Sequence, residues 1–126
     1  MDKKEIKVLM VEPGKHPKVT MLKDDLDTLQ KAVSIGADYQ GLIEIISIGH
    51  GDCILCNEEG KLIGLEGNRR LGNDIIVGVF YIMSEDEDGN LVSLSEKKIQ
   101  HYTEQFWLPE AFDRTEIEAT LTCRFL

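Results

Sequence analysis

Five amide and cationic side chains lie close together between residues 57 and 70 of an otherwise acidic chain. They are Asn57, Lys61, Asn68, Arg69 and Arg70. Arg and Lys bind phosphate or carboxylate groups through charge-assisted hydrogen bonds, so this stretch is the candidate ligand-binding segment, for a phosphate or nucleotide. The same side chains can instead hold the scaffold, with the asparagines bonded to backbone groups and Arg69 bonded to neighbouring carboxylates. We favour this structural role.

The glycines of this segment do not complete a known phosphate-binding motif. A phosphate loop places Gly-Lys-Ser/Thr at the start of a helix, whereas Lys61 follows Gly60 without a hydroxyl residue after it. The dinucleotide fingerprint is absent as well. The segment therefore predicts no particular phosphate-binding fold.

Cysteine spacing raises the question of a metal or redox site. Cys53 and Cys56 have the C-x-x-C spacing, but they fall within a predicted strand, where side chains three positions apart point to opposite faces. A nucleophilic pair of Cys53 with His50 would lack a third group to orient it. We assign no metal ligand and no catalytic residue, and we read both cysteines as buried and structural.

The acidic stretch from Asp86 to Asn90 resembles the opening of a calcium loop. Counting from Asp86, the sixth position is Leu91 instead of glycine and the twelfth is Lys97 instead of glutamate. We therefore interpret the stretch as a solvated turn and expect no cofactor.

The charge balance narrows the classes of partner. The chain has 23 acidic and 14 basic residues, for a formal net charge of −9. Such a charge repels polyanions, so direct nucleic-acid binding is disfavoured. A basic protein partner and an imitation of DNA by the carboxylates both remain open, because the sequence does not show how the carboxylates are arranged.

Length and composition predict a cytoplasmic protein with one domain, covering residues 1–126. Apolar residues make up 42% and charged residues 29%, as in ordinary globular proteins. No apolar run is long enough to span a bilayer, and the opening MDKKEIKVLM lacks signal-peptide features, so no membrane contact is expected. Three cysteines do not make a disulfide framework.

The first half of the chain predicts two hairpins around a helix. Alternating apolar residues indicate paired strands on either side of the EPGKHP turn. A run rich in β-branched residues at 41–49 and a further strand at 52–57 indicate a second pair, joined by a tight turn at His50-Gly51-Asp52. Asp24 or Asp25 can cap the helix between them, whose inward stripe would be Leu26, Leu29 and Val33.

The second half predicts a central strand, a helix and a terminal strand. Residues 74–82 are apolar apart from Gly78, which indicates one strand buried on both faces. Ser93 and Glu96 form a capping box for a helix whose inward residues would be Ile99, Tyr102 and Phe106. Strict alternation near the end predicts a half-buried strand within 109–126.

These elements together predict an α+β fold. We expect a mixed, mainly antiparallel sheet of about five to six strands, with two helices on one face.

The order of several motifs resembles a known family. The segments IKVLMVEPGKHP, LDTLQKAV, ILCNEEGKLIGLEGNRRL, DIIVGVFYI and LSEKKIQHYTEQF are similar to a small uncharacterised family, domain of unknown function 3846, of Gram-positive bacteria, their phages and mobile elements. The similarity covers about residues 6–106, and VEPGK and CNEEGKLIGLEGNRRL carry most of its specificity. The resemblance implies a C-terminal extension from residue 109. It implies no known activity or catalytic residue.

The resemblance implies an accessory protein of phage or mobile-element type. We expect a non-enzymatic interaction module whose partner is an unknown host protein or a second copy of the chain. A homodimer would pair through an edge strand, for which the terminal strand is the candidate. The alternative is a small-ligand binding protein or enzyme that uses the segment from Asn57 to Arg70.

Overall fold

The computed structural model describes residues 4–124, with side chains as far as residue 121. The strands are β1 (Glu5–Val11), β2 (Lys18–Lys23), β3 (Ile43–Gly49), β4 (Asp52–Asn57), β5 (Gly67–Leu71), β6 (Asp74–Val77), β7 (Phe80–Glu85) and β8 (Leu91–Val92). The helices are α1 (Leu26–Ala32), α2 (Glu96–Gln105) and α3 (Arg114–Arg124). No helix in the described part of the chain is long and apolar enough to cross a membrane.

The main sheet has six strands, with five in the order β2-β1-β7-β4-β3 and β8 paired to the end of β7. Every strand pair within residues 4–124 is antiparallel, including the separate hairpin β5–β6. The α+β class and the mainly antiparallel sheet are therefore confirmed, as are the two predicted hairpins β1–β2 and β3–β4.

Helices α1 and α2 lie on opposite faces of the main sheet. The prediction that both helices lie on one face is therefore wrong. Side chains alternate along β1, β4 and β7, and each set meets a different helix. Leu29 and Val33 at α1 pack against one set, and Ile99, Tyr102 and Phe106 at α2 pack against the other. Because the central strands are apolar on both faces, each face of the sheet is buried only if a helix packs against it.

The hairpin β5–β6 is a third layer on the α2 side. Ile76 joins the core beneath α2. Ile75 and Val77 point the other way and form a small core with Leu65 and Ile117 of α3. The hairpin therefore lies between the main sheet and α3.

The predicted strand over residues 74–82 is two strands that belong to different sheets. The chain turns at Gly78, whose φ is +71°. A Cβ at this position would lie 2.8 Å from Leu65 Cδ1, so the packing also requires glycine. The apolar run is continuous because both strands are buried, and the turn between them carries no polar residue.

Two predictions about helix ends are wrong. The N-cap of α2 is Ser95, whose side chain accepts from Lys98 N, while Ser93 Oγ accepts from Lys7 N at 2.8 Å and joins the sheet to this loop. In α1 the cap is Asp25, as expected, but Leu26 is 61% exposed. It is the first helical residue, and the buried stripe begins one turn later.

The predicted terminal strand is helix α3. Asp113 Oδ1 accepts from Glu116 N at 2.8 Å, as an N-cap does. Ile117 and Leu121 are four positions apart and meet the hairpin and the cleft described below. The alternating Thr residues do not oppose this, because Thr120 Oγ donates to Ile117 O within the helix. The part of the expected strand beyond residue 124 lies outside the described residues.

Candidate functional site

Asn57 ends strand β4 and is 5% exposed. Its Nδ2 donates to Val33 O at 3.3 Å, and its Oδ1 accepts from Glu59 N at 2.9 Å. The side chain thus joins the end of α1 to the turn after β4.

Asn68 and Arg69 lie inside the protein, at 0% and 1% exposure. Asn68 Nδ2 donates at 2.8 Å to both Val11 O and Gly78 O, which fixes the turn between the two sheets. Arg69 donates to Phe106 O at 3.0 Å and to Lys15 O at 2.6 Å. A further hydrogen bond joins it to Asn68 Oδ1 at 2.7 Å.

The hydrogen-bond partners of Arg69 differ from those expected. Among the described residues they are carbonyl oxygens and an amide oxygen, and none is a carboxylate. Burial lowers the pKa of the guanidinium, and the nearby charge of Glu110 opposes that shift. Carbonyl dipoles from two separate loops and from the adjacent Asn68 take the place of a counter-ion, which suits a scaffold residue.

Arg70 lies on the outer side of the hairpin, against the chain that precedes and forms α3. Its backbone N donates to Glu110 Oε2 at 2.9 Å, and its guanidinium lies 3.4 Å from Glu116 Oε2. The guanidinium carbon is 5.4 Å from the ring centre of Phe112. All three contacts are with residues of the C-terminal region.

Lys61 is buried at the base of a cleft, and its side chain is 8% exposed. Its Nζ donates to Asp74 Oδ1 and, at 2.9 Å, to Thr120 Oγ1 of α3. The ammonium group therefore links the hairpin to the last helix.

The five predicted residues do not converge on one point. Asn57 and Lys61 line the same cleft. Asn68 and Arg69 are internal, and Arg70 faces the C-terminal region. The structure thus brings together two of the five.

The cleft has a volume of about 480 Å³ and lies between strand β3, the turn after β4, strand β6 and α3. Its polar lining side chains are Glu44, Asn57, Glu58, Glu59, Lys61 and Asp74. Its apolar lining includes Leu42, Ile46, Cys56, Leu62, Ile76 and Leu121. Four carboxylates and one ammonium group face this space, so its field favours a cation.

The sequence did not predict the acidic residues of the cleft. They come from separate elements, and only the packing of the hairpin beside β4 brings them together. Glu58 and Glu59 lie within the segment from Asn57 to Arg70, so their place in the sequence was the one sign that carboxylates belong to this site.

Strand β3 forms one edge of the main sheet, and β4 is its partner within the described chain. Ile45 is 47% exposed, and Leu42, just before the strand, is 53% exposed. Glu44 and Ile46 face the cleft. The free edge of the sheet and the acidic cleft therefore adjoin each other.

A second polar cluster surrounds Asp52, the first residue of β4. Its carboxylate accepts from Ser84 Oγ at 2.7 Å, Lys98 Nζ at 2.7 Å and Tyr102 Oη at 2.5 Å. Burial opposes ionisation, but these hydrogen bonds outweigh it and hold the pKa of Asp52 below its usual value. Burial, together with Asp52, raises the pKa of Tyr102. The cluster ties α2 to β4 and β7.

The two cysteines of β4 diverge, as predicted. Cys53 lies in the core beneath α1 and Cys56 in the core beneath α2. Burial raises the pKa of each thiol to about 12, which keeps both protonated at neutral pH. Within the described part of the chain, no group of three or more His, Cys, Asp or Glu side chains is arranged to hold a metal ion.

Comparison with known proteins agrees with the resemblance seen in the motifs. No curated protein and no solved structure matches the chain significantly. Residues 6–107 match the family described as Domain of unknown function (DUF3846). The matched part includes both sheets and α2, and it ends before α3. The chain belongs to the DUF3846 family.

Proposed function

We propose that this protein is a non-enzymatic interaction module that binds a basic, extended segment of a partner protein along strand β3. It would serve as an accessory protein of phage or mobile-element type. The observation that supports this is the free edge of β3 beside the acidic cleft.

The edge of β3 supplies the backbone part of the interaction. An unpaired edge presents a row of N–H and C=O groups, and an extended peptide can add a strand to it. Alternate side chains of such a peptide would lie over the cleft face, where Glu44 and Ile46 are half-buried. The opposite side chains would cover Ile45.

Charge favours a basic peptide over other partners. Glu58 is exposed at the cleft, and Glu44, Glu59 and Asp74 lie half-buried beside it. The single ammonium group, on Lys61, is already bonded to Asp74. Lys or Arg side chains alternating with apolar ones would place the cations over the carboxylates of the cleft and the apolar side chains over Ile45 on the other face.

The opposite edge, β2, has no acidic residue, and its lysines are paired with Glu12 and Asp25. Lys18 and Lys23 stand at its two ends, and Val19 and Met21 are about half exposed between them. A basic peptide is therefore directed to β3. A second copy of the chain could offer its β2 to β3, and this self-association is the competing occupant.

The test uses a peptide of alternating Lys and Val, as long as strand β3, with blocked ends. We expect binding with one peptide per chain, measured by isothermal titration calorimetry, and an affinity that falls with added salt. Glu58→Gln should weaken binding about two- to five-fold, as expected for one exposed charge pair. Glu87→Gln, which removes the same charge from the distant β7–β8 turn, is the matched control.

Two further peptides, each N-methylated at alternate residues along one of the two edges, separate strand addition from simple charge attraction. Strand addition predicts loss of binding when the methyl groups block the edge that faces β3, and retention when they block the other edge. Equal binding of both methylated peptides would contradict the proposal. Light scattering that shows dimers of the free chain would favour the second copy as the occupant.

A small-ligand binding protein or enzyme is the second candidate function. The cleft volume of about 480 Å³ suits a small molecule, and Asn57 and Lys61 lie in its lining. A thermal-shift screen with nucleotides and phosphates tests it, because a ligand that binds only the folded state raises the melting temperature. Stabilisation that Lys61→Met abolishes would favour this function over peptide binding.

A cytoplasmic location belongs to the same proposal. Cys53 and Cys56 are unpaired thiols, which suits a reducing compartment.

A further inference from the structure

The C-terminal segment, residues 110–121, covers the outer side of the hairpin β5–β6. It touches the candidate ligand-binding segment at Lys61 through Thr120 and at Arg70 through Glu110 and Glu116. The family match ends at residue 107, so this segment lies outside the matched part while its docking surface lies within it.

The surface that the C-terminal segment packs on, the outer side of the hairpin β5–β6, has glycine where the segment comes closest. At Gly67 a Cβ would lie 2.9 Å from Phe112 Cδ2 and 3.2 Å from Ile117 Cδ1. At Gly64 it would lie 3.2 Å from the guanidinium of Arg114. Gly67 therefore allows a close approach of this segment, while the positive φ of Gly64, +77°, is itself a reason for glycine there.

The segment is nevertheless held by few buried groups. Ile117 is the single buried residue of α3 as far as residue 121, and Phe112 is half-buried. The connection from Trp107 to Ala111 is exposed throughout. An element with so few buried apolar contacts belongs to the part of a fold that opens most readily.

Helix α3 also builds one wall of the acidic cleft. Leu121 lines the cleft, and Thr120 holds the ammonium group of Lys61 beside Asp74. When α3 leaves, a ligand in the cleft loses its contact with Leu121. Lys61 also loses its hydrogen bond to Thr120 and keeps only the one to Asp74. Its ammonium group is then freer to move into the cleft, where it would repel a cationic ligand.

We propose that α3 is a movable wall whose docked position is the binding-competent state of the cleft, so that docking of α3 and binding at the cleft reinforce each other. This inference rests on the proposed function for its ligand. The docking itself is a property of the chain alone. Because a ligand in the cleft gains the contact with Leu121 only in the docked form, its binding shifts the population towards that form.

The first experiment tests docking without a ligand. Ile117→Asp places a charge in the small core and should release α3. Ala119→Asp places the same charge on an exposed position of the same helix and is the control. Lys61 should be acetylated about ten-fold faster in Ile117→Asp than in the wild-type chain, as measured by mass spectrometry after brief exposure to an acetylating reagent. Equal rates in all three chains would overturn the movable wall.

The second experiment measures the coupling, with the alternating Lys–Val peptide as the probe. Ile117→Asp should weaken peptide binding about ten-fold, and Ala119→Asp should not. The peptide should also slow hydrogen exchange of the α3 amides in the wild-type chain. Faster Lys61 acetylation in Ile117→Asp with unchanged peptide affinity would overturn the coupling.

The two proposals fail in different ways. A wild-type chain that binds no peptide contradicts the proposed function and removes the coupling with it. The acetylation result still decides whether α3 is a movable wall of the cleft.

Discussion

Two lysine–aspartate bridges in this protein have opposite burial. In the bridge at α2, the Asp52 carboxylate is 1% exposed and the Lys98 side chain is 36% exposed. In the bridge at the cleft, the Lys61 side chain is 8% exposed and that of Asp74 is 37% exposed. The buried partner is the anion in one case and the cation in the other.

This difference separates a cluster that only stabilises the fold from one that can change when α3 moves. Asp52 accepts hydrogen bonds from three side chains, each on an element of the matched domain, so its environment is complete. Lys61 has one partner on the hairpin and one on α3, at the border of a cleft. A change in the position of α3 alters only the second cluster.

The largest effects on the free energy of unfolding should come from removing the carboxylates of Asp52 and Asp74. The loss should be much greater for Asp52. Asp52→Ala leaves the buried hydroxyls of Ser84 and Tyr102 without their acceptor and removes the carboxylate bonded to Lys98, and it should lower the free energy of unfolding by about 3–5 kcal/mol. Asp74→Ala leaves the buried Lys61 ammonium with Thr120 Oγ1 and the other carboxylates of the cleft, so it should cost less, about 1–2 kcal/mol. Urea unfolding at neutral pH measures both, and equal losses would contradict the distinction.

Acid should weaken the Asp52 cluster. Because the folded-state pKa of Asp52 lies below its usual value of 3.8, ionised Asp52 stabilises the fold above that pH. The stabilisation is lost as pH falls through the folded-state pKa. Wild-type urea midpoints should therefore decline more steeply below about pH 4 than those of Asp52→Asn, which has no such proton to gain. If the urea midpoints of the two chains fall in parallel with pH, ionised Asp52 does not contribute to the stability of the fold.

The sequence predicted the elements whose pattern is local. Strands β1 and β2 show apolar alternation, β3 is rich in isoleucine, β4 is a short apolar run, and each pair is joined by a turn, so neighbouring residues contain most of the information. The break at Gly78 and helix α3 depend on distant contacts. Gly78 is required by Leu65, and Ile117 packs on the hairpin, while the apolar spacing alone suits either structure.

The candidate site was predictable only in part, for the same reason. Asn57 and Lys61 belong to the predicted segment and reach the cleft, but Glu44 and Asp74 join them only because β3 pairs with β4 and β6 of the hairpin packs against β4. Arg69 was expected to meet carboxylates, since an acidic chain offers many. Its partners Lys15 O and Phe106 O come from loops 54 and 37 residues away, and a carbonyl group has no signature in the sequence.

The smallest effect should come from Thr120, whose hydroxyl is the contribution of α3 to the cleft cluster. Thr120→Val keeps the shape of the side chain but removes the acceptor for Lys61, and it should cost about 1 kcal/mol. Thr115→Val, at an exposed position of the same helix, is the matched control for the change in helix propensity. If α3 is held as a separate unit, Thr120→Val should speed hydrogen exchange of the α3 amides and leave the amides of β4 and β7 unchanged. Exchange that rises equally in α3 and in the central strands would mean that α3 opens only when the whole protein unfolds, and the two bridges would then not differ in their capacity to respond.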